Sequence, residues 1–156
     1  MPVTVLPFLA ATLLPFLFLL YKKLFSARRY PYQAKPLLTK REHHFYRLLR
    51  REANRYGLII CPKVGLKDLM AVTCTRHYMR YFRLIAQKHV DFVICDNDLQ
   101  VLFAIELDDS SHDTKAARKR DRLKNKAFRA AGIPLKRVRE YDASTVRLLF
   151  LQTLHR

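Results

Sequence analysis

HVDFVICDNDLQVLFAIELDDSSH, residues 89–112, is the stretch whose reading decides the fold. His89 to Cys95 and Leu99 to Leu107 are rich in β-branched and aromatic residues. Asp96-Asn97-Asp98 between them has the composition of a turn. The two runs are expected to form an antiparallel hairpin. Strand side chains alternate, so Val101, Phe103, Ile105 and Leu107 share one face and Leu102, Ala104, Glu106 and Asp108 the other. Glu106 and Asp108 therefore point the same way. A two-residue turn at Asn97-Asp98 pairs Asp91 with Ala104 and puts it on the Glu106 face. A three-residue turn pairs it with Phe103 and puts it on the wrong one. The first geometry is expected, or a bulge that restores it.

Working outward, residues 111 to 131 read as a strongly basic helix. Ala116, Leu123, Ala127 and Ala130 form a narrow apolar stripe, and Lys115, Arg118, Lys119, Arg122, Lys126 and Arg129 cover most of the rest. Gly132 ends it. Ile133 to Val138 is a further strand and Ala143 to Leu154 a closing helix. On the other side, Thr39 and Glu42 form a capping box that opens a helix carrying Phe45, Leu48, Leu49 and Ala53, stopped at Gly57. Leu58 to Val64 is a strand, Leu66 to Met70 a short helical turn. Residues 71 to 89 are ambiguous, with Tyr78, Tyr81, Phe82 and Ile85 favouring a helix. This order is an α/β sandwich around a mixed sheet in residues 37–156.

Val3 to Tyr21 carries no charge, and its roughly 19 residues can just cross a hydrocarbon core of about 30 Å. No Lys or Arg precedes the run, whereas Lys22, Lys23, Arg28 and Arg29 follow it. That pattern suits a retained anchor better than a cleaved signal peptide. Residues 1–23 are thus expected to be one transmembrane helix and 24–36 a basic linker. The positive-inside rule keeps the C-terminal domain cytoplasmic, on the inner membrane.

The chain has 30 Lys and Arg against 13 Asp and Glu, a net charge of +17, yet eight of the acids lie between Asp91 and Asp121. The basic excess points to polyanions, either nucleic acid or anionic lipid. A local gathering of carboxylates within it suggests a hard-cation site, since Mg²⁺ takes oxygen ligands and substrate phosphate. Cys61, Cys74 and Cys95 are odd in number and irregular in spacing, so they make no disulfide framework. Cys95 reads as a core hydrophobe. Cys74 and His77 form a lone C-x-x-H with no second pair at zinc spacing.

The spacing Asp91…Glu106-x-Asp108 resembles the PD-(D/E)XK nuclease superfamily. Thr39-x-x-Glu42, His89-Val90-Asp91-Phe92, Ile105 to His112, Arg120-Asp121 and Ala131-Gly132-Ile133-Pro134 together resemble a bacterial family, domain-of-unknown-function 2726. That family is similar to the very-short-patch-repair endonucleases. The resemblance covers about residues 37 to 140. It implies a restriction-endonuclease-like fold and Mg²⁺- or Mn²⁺-dependent hydrolysis of phosphodiester bonds, with DNA as partner. Asp91 and Glu106 would be the metal ligands. Asp108 stands where the motif has lysine, and a carboxylate cannot stabilise charge building on phosphate as an ammonium does. Lys124 and Lys115 are candidates for that role. His112 matches a histidine able to act as general acid, and Glu42 an acid that reaches the site through water.

Each of these residues also has a plainer reading. Glu106 and Asp108 can be solvated ends of an edge strand, and Glu42 just the capping box. Asp121 can pair with Arg118 or Lys124 along the helix. Three function classes remain open at this point: a metal nuclease with catalytic Asp91, Glu106, Asp108, His112, Glu42 and Lys124; a non-catalytic nucleic-acid-binding module using Lys115, Arg118, Lys119, Arg122 and Lys126; and a scaffold lying on anionic lipid.

Overall fold

The computed structural model describes residues 5–26, 30–108 and 115–154, with side chains described in 13–25, 30–108 and 121–154. The chain divides into two compact units, Met1–Pro36 and Leu37–Arg156. In the first, α1 runs Val5–Ser26 with Pro15 inside it. Among the described residues no helix is long and apolar enough to cross a membrane. The transmembrane anchor expected at residues 1–23 is therefore not found.

The second unit is a mixed α/β structure. Helix α2 spans Lys40–Arg55, and both halves of the capping box are present. The Thr39 N–H donates to Glu42 Oε2 at 2.9 Å and the Glu42 N–H to Thr39 Oγ1 at 3.3 Å. Then follow β1 (Ile59–Gly65), α3 (Leu66–Leu69), α4 (Tyr78–Ile85), β2 (His89–Cys95), β3 (Val101–Leu107), α5 (Lys115–Ala130), β4 (Leu135–Val138) and α6 (Ala143–Leu154). The ambiguous segment 71–89 thus holds one helix and a long approach to it.

Four strands form one sheet in the order β1-β2-β3-β4. The first two pairings are antiparallel and β3 pairs β4 in parallel. A parallel neighbour needs a crossover, and α5 supplies it. The β2–β3 register matches neither expected turn. Phe92 pairs Ile105, Cys95 pairs Val101, and an irregularity at Ile94/Cys95 takes up the difference. The connection is longer than expected because Asp96 organises it: its Oδ1 accepts from the N–H groups of Asp98 and Gln100. Continued to the strand ends, this register sets Asp91 opposite Glu106.

Each sheet face carries its own core. On one, Phe92, Ile94, Phe103 and Ile105 pack against Phe45, Leu49 and Ala53 of α2 and Val146 and Phe150 of α6. On the other, Val93, Cys95 and Ala104 meet Leu66, Ile85 and Phe128, from α3, α4 and α5. Cys95 is a core residue, and burial, with Cys61 close by, pushes its thiol up to about 11. The alanine-rich stripe expected on α5 is corrected in one respect. Its buried anchor is Phe128, while Ala130 is exposed. Alanines alone cannot fill the space between a helix and a sheet; a phenyl ring can. Truncating it removes that filler, so Phe128→Ala should lower stability by about 3–5 kcal/mol, read as a fall in the urea midpoint. An unchanged midpoint would contradict this packing.

Candidate functional site

The ends of β2, β3 and β4 and a left-handed residue of β1 bring acids and bases to one edge of the sheet. Asp91 lies near the start of β2 and Glu106 near the end of β3. Lys63 lies in β1 at φ +55°, a conformation that costs an L-residue about 1–2 kcal/mol. Pro62 pairs Phe92 and Val64 pairs Val90 in one unbroken register, which sets Lys63 opposite Asp91. Its ammonium donates to Glu42 Oε1 at 2.5 Å and to Asp91 Oδ1 at 3.1 Å. The Leu107 N–H holds the other Asp91 oxygen at 2.9 Å. Strain of this kind collects where a side chain must be aimed.

Glu106 is gripped from above. Lys124 of α5 donates to its Oε1 and, at 2.9 Å, to the His89 carbonyl. Glu106 Oε2 is buried with no hydrogen-bond partner among the described residues. On β4, Arg137 pairs Glu106 in register. Its Nη1 donates to both Asp108 oxygens at 3.1 and 3.2 Å. Its Nη2 lies 2.9 Å from Asp121 Oδ1. Nε and Nη2 nevertheless have no hydrogen-bond acceptor among the described residues. Arg41 donates to the Asp108 carbonyl at 3.0 Å and ties α2 to the same corner.

The electrostatics separate the acids. Burial is the larger influence on Glu106 and raises its carboxyl above the usual range, with Asp91 adding to it; Lys124 and Arg137 oppose this without reversing it. Burial acts the same way on Glu42, but there the hydrogen bonds from Lys63 and Thr39 prevail and hold it below the usual range. Burial disfavours the Lys63 charge, yet Glu42 and Asp91 raise its ammonium above the ordinary lysine value. Arg137 is held protonated in the same manner, by Asp121, Asp108 and Glu106 against burial.

Four candidate residues therefore meet here: Glu42, Asp91, Glu106 and Lys124. Glu42 serves its helix cap and, through Lys63, Asp91. The edge-strand reading of Glu106 and Asp108 is overturned, because β3 lies between β2 and β4 and their side chains are only 16 and 18% exposed. Asp108 is committed to Arg137. Asp121 reaches Arg137 across the fold; of its two expected partners, Lys124 is engaged by Glu106, and the Arg118 side chain lies outside the described residues. His112 lies outside the described residues. Lys115, Arg118 and Lys119 sit on α5 where side chains are not described, while Arg122 and Lys126 are exposed. Lys63 and Arg137 were missed by sequence reasoning. A lysine inside an apolar strand, as in Ile59-Ile60-Cys61-Pro62-Lys63-Val64, is a usable signal, since such a charge requires a partner. Arg137 gave none, because the strand beside it cannot be read locally.

Among the described residues no group of three or more His, Cys, Asp or Glu is arranged to hold a metal ion. What the site offers is a carboxylate pair with one orphaned buried oxygen, which suits a hard cation that completes its shell with water and phosphate. No curated protein and no solved structure matches the chain. One family does: DUF2726, a protein of unknown function, matches residues 34–152. The chain belongs to the DUF2726 family.

The raised Glu106 carboxyl has a definite sign. A group whose folded pKa exceeds its unfolded value contributes stability below the unfolded value, near 4.5, and loses it as pH rises through the folded one. Glu106→Gln, neutral throughout, should gain stability relative to the parent between pH 4 and 8, read from urea midpoints. A pH-independent difference would refute the assignment.

Proposed function

We propose that this DUF2726 domain is a nuclease-like domain of restriction-endonuclease-like architecture that hydrolyses phosphodiester bonds, DNA being the substrate class. The observation that carries the reading is the opposed pair Asp91 and Glu106, with a buried unpartnered oxygen on Glu106 and a lysine on the same carboxylate. Asp91 and Glu106 would hold Mg²⁺ or Mn²⁺. Such an ion, when bound, activates water and offsets charge on the scissile phosphate. Lys124 supplies from α5 the ammonium that Asp108 cannot, beside the metal-binding carboxylate. Lys63 and the Leu107 N–H fix the Asp91 carboxylate, and Glu42 remains ionised to orient water near it. His112 stands as the candidate general acid. Asp108 is a positioning residue, locking Arg137 and hence β4 against β3.

The charge distribution supports nucleic acid as partner. Between Asp68 and Asp91 the chain has no acid but carries Arg76, Arg80, Arg83 and Lys88. Tyr78 and Tyr81 are exposed among them. Phosphates attract such arginines and unstacked bases attract such rings. Lys115, Arg118, Lys119, Arg122 and Lys126 would extend the phosphate contacts along α5. The N-terminal unit enters as an attachment to the inner membrane. Leu13, Leu14, Phe16, Leu17 and Phe18 are exposed and Lys22 and Lys23 follow. Carbonate extraction that frees the full chain from membranes would remove this part.

A non-catalytic nucleic-acid-binding module is favoured by one observation. Lys63 and Lys124 already neutralise the two acids, so the cluster can stand as a structural ion-pair network. Both readings predict salt-sensitive binding, with a log K against log salt slope of several units. Cleavage separates them. The full chain in mild detergent should nick supercoiled plasmid with Mg²⁺ or Mn²⁺. Asp91→Ala and Glu106→Ala should lose at least the ~100-fold that changes around metal ligands cost. Lys124→Ala should slow cleavage while DNA binding persists. Intact plasmid with every divalent ion, alongside retained binding, would establish the module instead.

A further inference from the structure

A groove of about 450 Å³ lies beside the acid corner, lined by Asn125, Phe128 and Arg129 of α5, Ile133 and Pro134, and Leu135 and Arg137 of β4. Arg137 belongs to both places. The side that pairs Asp108 serves the corner, while the residue also lines the groove. The volume falls within the roughly 300–1,000 Å³ of small-molecule sites, too small for a duplex but ample for one nucleotide.

The lining has two characters. Phe128, Ile133, Pro134 and Leu135 give apolar walls. Asn125 and Arg129 give a polar rim, and neither side chain makes a hydrogen bond or ion pair to another described residue. Arg137 adds a buried Nε with no hydrogen-bond acceptor among the described residues, while its Nη2 lies against Asp121. Its charge is already balanced by Asp108 and Asp121, so the Nε N–H suits a neutral acceptor better than a second phosphate. Apolar walls, an amide carrying both donor and acceptor, and a donor seeking a neutral acceptor are together the complement of a nucleobase. Arg129, exposed and uncompensated, suits the phosphate attached to it. Helical spacing keeps the two tasks in step: Asn125 follows Lys124, so one turn of α5 faces both Glu106 and the groove.

We propose that this groove takes one unstacked nucleobase of a nucleic-acid strand whose backbone lies along the acid corner. This rests on the nuclease-like reading and narrows it: the strand bound there carries an unpaired or extruded base.

The test compares affinities of the full chain, in detergent, for a short deoxythymidine strand and for an equally long strand of abasic sugar phosphates. Both offer the same phosphates. The parent should prefer the base-bearing strand by about 5- to 150-fold, the range that base contacts give. The double variant Asn125→Ala/Ile133→Ala should lose most of that preference while binding the abasic strand as before. Equal affinity of the parent for both strands, or failure to bind either, would overturn the proposal. So would a preference that the double variant keeps, since the base would then sit elsewhere. A preference that the variant loses, with plasmid left intact by Mg²⁺ and Mn²⁺, would support the groove and remove catalysis alone.

Discussion

Two carboxylates set opposite each other on neighbouring interior strands repel, and burial makes each worse. Asp91 and Glu106 are in this position, and everything at this corner answers to them. Lys63 comes from a left-handed residue within β1, Lys124 from the crossover helix, and Arg137 from the strand beyond. Each cation comes from a different element, so the pair can persist only when the elements are assembled. Ion pairs of this depth seldom add net stability, because desolvation offsets much of the attraction. The arrangement is therefore a weak means of holding the fold together.

The asymmetry between the acids follows from how each is supported. Asp91 has both oxygens engaged, one by an ammonium and one by a backbone N–H. Glu106 has one engaged and one orphaned. The first is fixed in direction; the second retains an unmet demand for positive charge or a proton. A site with one settled and one unsettled carboxylate is organised to accept something, and the elevated Glu106 carboxyl expresses the same demand.

Much of this was legible in the order of residues. The capping box at Thr39 and Glu42, the hairpin strands and the closing helix Ala143–Leu154 follow from local chemistry, and they appear where periodicity places them. The pairing of Asp91 with Glu106 was harder. It depends on a connection that Asp96 holds open with side-chain hydrogen bonds, which turn statistics do not anticipate. Phe128 lies off the expected stripe of three alanines and Leu123, yet its ring is what fills the helix–sheet gap. Lys63 depends on a left-handed backbone at a non-glycine residue, and Arg137 on a parallel neighbour reached through a crossover. Neither is written in nearby residues. At the N-terminus, an unbroken apolar run in the sequence supplied an anchor that the described helix does not provide.

The crossover from β3 through α5 to β4 has a consequence in time. On the ribosome, Asp91 and Glu106 emerge well before Lys124, and Arg137 later still. Until α5 folds back over the sheet, the acids face each other without their cations, and the groove has no walls. A half-made chain therefore presents no finished cluster. The corner closes only once β4 has been made and α5 has folded back, so topology itself delays the assembled cluster until the crossover is complete.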